Sequence, residues 1–89
     1  MNSAETEQLR VCLLQALRQV AGTELPLATL LLGARLAGFR ASDERAVAAE
    51  LSYLEDKRLV VQAGKAVSPE NREWRITAEG RDYLATRGF

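Results

Sequence analysis

The sequence predicts an α+β domain, mostly helical, and three observations carry that expectation. Apolar residues recur at helical spacing in three segments ahead of Arg58. Two short runs rich in strand formers follow, Leu59–Ala63 and Arg72–Ile76, parted by a stretch of turn residues. A final helical segment begins just after Thr77. The chain has 89 residues, enough for one domain spanning 1–89 and too few for a second core.

The first helix is expected over Glu5–Ala21, with Leu9, Leu13, Ala16, Leu17 and Val20 on one face and Gly22 as its stop. The first four residues are expected to fray. On the far side lie Val11 and Leu14, among Arg10, Gln15 and Arg18. That apolar pair marks either a partner surface or a face covered by another element of the same domain.

Thr23-Glu24-Leu25 reads as a short extended strand, since Pro26 holds Leu25 out of the helical region. A second helix is expected from Pro26 to Ala37, with Leu27, Leu30, Leu31 and Ala34 inside and Gly38 at its end. Phe39-Arg40-Ala41 forms a tight connection. Ser42 then stands as the N-cap of a third helix, 42–57, and Asp43 and Glu44 suit the positive end of its dipole. Val47, Leu51 and Leu54 make its inner stripe.

Leu59–Ala63 is the first strand of a hairpin and Arg72–Ile76 the second, with Trp74 and Ile76 facing inward. Gly, Ser, Pro and Asn fill Gly64–Asn71 between them. Thr77 caps a last helix, Ala78–Arg87, whose inner residues are Tyr83 and Leu84. Two helices joined by a short turn and followed by a hairpin describe a winged helix-turn-helix: helix, short strand, helix, helix, two-stranded wing, C-terminal helix.

Two stretches resemble a known group of proteins. Leu51-Ser-Tyr-Leu-Glu-Asp-Lys-Arg-Leu-Val-Val61 is similar to the end of the recognition helix and the start of the wing in bacterial regulators of the MarR, PadR and ArsR kind. Trp74-Arg-Ile-Thr-Ala-Glu-Gly-Arg-Asp-Tyr-Leu84 resembles their second wing strand and following helix, where Thr-x-x-Gly recurs. The chain also resembles the small winged-helix proteins of Mu-like prophages. Arg58 departs from the pattern, because those regulators usually carry Gly at this left-handed position, and Arg there costs about 1 kcal/mol. Gly80 matches, and its missing side chain permits close packing at the last helix's first turn. The resemblance implies a fold more firmly than a role.

With the inner stripe fixed, helical geometry turns Arg45, Ala49, Ser52, Tyr53 and Asp56 outward. Arg45 can pair with guanine or phosphate, Ser52 can hydrogen-bond to either, Ala49 can touch a thymine methyl, and Tyr53 can reach the sugar–phosphate backbone. Against this, Asp43 to Arg58 holds five acids and three bases. A more basic patch is expected at the elbow, where Arg35, Arg40, Ser42 and Arg45 flank the turn. Lys65 and Arg72 stand at the ends of the wing segment 64–72, and Arg75 on its second strand.

Composition narrows the function classes. Twelve basic side chains balance twelve acidic ones, so any nucleic-acid contact depends on a local patch. There is no His and only Cys12, which leaves no usual general base, zinc set or internal disulfide. No glycine-rich phosphate loop occurs. An enzyme is not expected, nor a cofactor or metal. No run nears the roughly 18 apolar residues that span a bilayer, and the expected location is the cytoplasm. Two functions remain: a sequence-selective regulator binding double-stranded DNA as a homodimer, and a protein-docking adaptor without DNA binding.

Overall fold

The computed structural model describes residues 2–63 and 72–89. Its element order is α1 (Ser3–Gln19), β1 (Leu25–Pro26), α2 (Leu27–Leu36), α3 (Glu44–Asp56), β2 (Val60–Ala63), β3 (Glu73–Ile76) and α4 (Ala78–Thr86). This is the expected sequence of elements. Lys65 and the rest of Gly64–Asn71 lie outside the described residues.

Helix α1 begins earlier than the fraying argument allowed. Asn2 is its N-cap, and its side-chain carbonyl accepts from the Glu5 amide at 2.9 Å, which satisfies one orphan donor of the first turn. The helix packs against α2, α3, α4 and β3, so more than one of its sides is covered. Leu9, Leu13 and Leu17 are buried, as their spacing demanded. Val11 and Leu14 are buried too, at 8% and 0% exposure. Their expected role as a partner surface is therefore corrected, because neighbouring elements of the same chain enclose a central helix.

Pro26 precedes α2 as its N-cap rather than entering its first turn. It also pairs in β1, a position that its missing N–H permits at a sheet edge. Helix α2 buries Leu27, Leu30, Leu31 and Ala34. It ends where Gly38 takes a φ of +114°, letting the Phe39 amide reach back to the Ala34 carbonyl at 3.0 Å. That reversal sets the elbow between α2 and α3.

The sheet has three strands in the order β1-β3-β2, all antiparallel. Leu25 pairs with Trp74 and Pro26 with Glu73, so the short strand forms the third rung of what sequence alone read as a two-stranded hairpin. Trp74 and Ile76 are buried beneath the sheet while Glu73 and Arg75 are exposed, the alternation that the strand required.

One junction fixes the sheet to the helices. Arg58 has a φ of +64°, the left-handed turn that ends α3, and the Leu59 amide then donates to the Leu54 carbonyl at 2.9 Å. Thr77 binds both sides of the junction. Its hydroxyl donates to the Arg58 carbonyl at 2.7 Å and accepts from the Gly80 amide at 3.0 Å, and its own amide donates to the Leu59 carbonyl at 3.1 Å. A Cβ on Gly80 would collide with that Leu59 oxygen and come within 2.7 Å of Ile76 Cγ1.

Two substitutions at this junction should have opposite signs. Gly80→Ala is expected to cost about 1–3 kcal/mol through overpacking, lowering the thermal midpoint by about 10 °C. Arg58→Gly is expected to stabilise by about 1 kcal/mol, since glycine takes a positive φ without steric cost. Thermal unfolding followed by circular dichroism checks both, and a midpoint unchanged by Gly80→Ala would contradict the packing described.

Candidate nucleic-acid interface

Helix α3 owes its orientation to Val47, Leu51 and Leu54, all buried. The opposite side therefore meets solvent. Arg45, Ala49, Ser52 and Asp56 are all exposed, spaced i, i+4, i+7 and i+11 along one strip. The strip holds one base and one acid, with a small methyl and a hydroxyl between them.

Three of the five acids between Asp43 and Arg58 have partners within the chain. Glu50 accepts from Arg10 Nε at 2.6 Å, and Glu55 accepts from Gln62 Nε2 at 3.2 Å. Asp43 serves as the N-cap, its carboxylate accepting from the Ala46 amide at 2.8 Å. Glu44 and Asp56 remain exposed.

Tyr53 is 39% exposed but does not share the strip's open setting. The Arg10 guanidinium lies 3.7 Å from its ring centroid, and Lys57 Nζ lies 5.8 Å away on the same ring. The ring therefore leans toward α1, at the margin of the outward face.

The expected place of Ser42 is corrected. It precedes the cap, is only 3% exposed, and its Oγ has no hydrogen-bond partner. A buried hydroxyl cannot touch DNA without opening the turn. Its carbonyl has a different task, accepting from Arg35 Nε at 3.0 Å. Arg35 thus braces the elbow, while its side chain remains exposed at the edge of the site. Arg40 and Arg45 are exposed on the turn and on the first turn of α3, with no ion pair among the described residues.

On the sheet side, Arg72 is half-buried just ahead of β3. Arg75 pairs with Glu24 at 3.7 Å, which ties it to the approach to β1. Cys12 is half-buried on α1, and burial pushes its thiol above the ordinary value, which lowers its reactivity as a nucleophile. Among the described residues no group of three or more His, Cys, Asp or Glu could hold a metal ion. No described helix is long and apolar enough to cross a membrane.

These elements follow the order of a regulator of known structure. A PadR-like transcriptional regulator from Bacillus cereus strain ATCC 14579 matches with a TM-score of 0.70 over 88% of this chain and 75% of that one. The fold is a winged helix-turn-helix. Sequence identity across the match is 22%, so the likeness lies in the path of the backbone. No family model matches the chain, and no curated protein does. Within this fold, α2 and α3 are the helix-turn-helix and β2 with β3 forms the wing.

The cap of α3 offers a clean test. Asp43→Ala should cost about 1 kcal/mol, while Ser42→Ala should be neutral or slightly stabilising because it removes an unpaired buried hydroxyl. Urea unfolding of both variants decides it: a larger loss for Ser42→Ala would return the cap to Ser42.

Proposed function

We propose that the protein is a sequence-selective, DNA-binding transcriptional regulator. The reading is carried by the outward strip of α3, which presents Arg45, Ala49 and Ser52 to solvent on a helix-turn-helix frame with Arg40 at its elbow. In this reading α3 enters the major groove. Arg45 pairs with guanine or phosphate, Ser52 hydrogen-bonds a base edge or phosphate, and Ala49 meets a thymine methyl. Arg40, with Arg35 beside it, holds the phosphate backbone, and Tyr53 borders the sugar–phosphate chain.

Wing residues Lys65 and Arg72 follow the adjacent backbone or minor groove. Two copies would set paired α3 helices on two half-sites. The protein works in the cytoplasm without a cofactor. The likeness to a solved PadR-like regulator supports this reading as a matter of fold, and the PadR kind is among those that the sequence resembles.

One observation favours a second reading. Leu32 and Leu36 stand one turn apart on α2 and are 58% and 79% exposed. A docking adaptor would use such a pair, in place of the buried Val11 and Leu14.

Fluorescence anisotropy with labelled genomic duplexes at low and moderate salt tests the first reading. Wild-type protein should bind selectively and weaken steeply as salt rises. Arg40→Ala/Arg45→Ala should lose at least about tenfold in affinity and reduce the salt slope by about 2. Affinity and slope both unchanged in the double variant would remove these arginines from the interface.

A further inference from the structure

The geometry points to Arg10, on α1 and remote in sequence from the recognition helix, as the positioning residue that keeps Glu50 of α3 away from bound DNA and holds Tyr53 at the margin of the outward strip. The inference rests on the DNA-binding reading and adds to it a determinant outside the helix-turn-helix.

Arg10 makes two contacts with α3 that lie one turn apart. Its Nε donates to Glu50 at 2.6 Å, and its guanidinium plane covers the Tyr53 ring at 3.7 Å. Both side chains of the ion pair are mostly covered, at 22% and 18% exposure. The hydrogen bond to Glu50, opposed by burial and helped by the charges of Glu50 and Glu7, raises Arg10 above its ordinary value, so it remains a cation. Lysine could supply the charge but not a flat guanidinium that bonds one group while stacking on another.

Arg10 is held in turn from behind. Glu7, one turn earlier on α1, lies 3.8 Å from an Arg10 terminal nitrogen. Glu7 also accepts from the Tyr83 hydroxyl at 2.5 Å and pairs with Arg87 at 3.1 Å. The chain of contacts runs from α4 through α1 to the flank of α3. It fixes where the guanidinium sits before any ligand arrives.

The consequence is electrostatic. Glu50 lies between the buried stripe and the outward strip, one residue beyond Ala49. Released from Arg10, its carboxylate can swing toward the strip and face phosphate oxygens, where like charges repel. Arg10 is thereby worth more to DNA binding than its own charge, which never touches the duplex in this arrangement.

The test uses the full chain and labelled duplex, with a readout that needs no DNA. Arg10→Ala should weaken binding about tenfold. Adding Glu50→Gln should recover most of that loss, although it restores no contact to Arg10. Arg10→Lys should fall between wild type and Arg10→Ala. A double variant as weak as Arg10→Ala, with both folded by circular dichroism, would overturn the inference by assigning Arg10 a general structural role. So would Arg10→Ala binding like wild type.

In the free wild-type protein, the Arg10 Nε–H should give a resolved NMR signal protected from solvent exchange and lost in Glu50→Gln. Its absence would overturn the positioning role whatever the protein binds. Wild type that ignores DNA while keeping this signal would instead overturn the proposed function and leave the contact standing.

Discussion

Burial of Val47, Leu51 and Leu54 decides which side of α3 the rest of the chain can use. Each such side chain contributes about 1.5–3 kcal/mol when removed from water, against a few tenths for an exposed contact on the other face. The helix packs on α1 and α2 through this stripe, and the strip carrying Arg45, Ala49, Ser52 and Asp56 is outward because the stripe is inward. The wing inherits the same geometry. It leaves α3 through the left-handed Arg58 and is returned to the helices by Thr77 and Gly80.

Much of this was legible in the sequence because it is local. Helical spacing located the first three helices, Thr77 as a cap located the fourth, and turn residues located the elbow and the hairpin. Resemblance to the known regulators implied a left-handed turn at Arg58 and a close approach at Gly80, and both are present. The cap of α3 was misplaced by one residue, from Asp43 to Ser42. Ser42 and Asp43 are both good caps, and only the backbone settles which one has extended geometry and a carboxylate facing the Ala46 amide.

What sequence could not convey is long-range. Val11 and Leu14 looked spare because a single helix's periodicity cannot tell whether its second side is also covered. The pairing of β1 with β3 joins residues almost fifty positions apart, and a two-residue strand carries no pattern of its own. The same holds for Arg10 and Glu50, whose separation of 40 residues leaves no local trace. Acid content made α3 look unsuited to DNA. The contacts of Glu50, Glu55 and Asp43 give three of its five acids partners within the chain, which the sequence could not convey. A fold of this kind hosts many roles, so function must be argued from such placements.

The orientation of α3 can be measured directly on the free protein. NMR spectra recorded with a soluble paramagnetic agent would report how closely each methyl group meets solvent. The account requires the Ala49 methyl to broaden strongly while the Val47, Leu51 and Leu54 methyls persist. Broadening of those three methyls with Ala49 spared would mean that α3 faces the other way, and no argument built on its outward strip would survive.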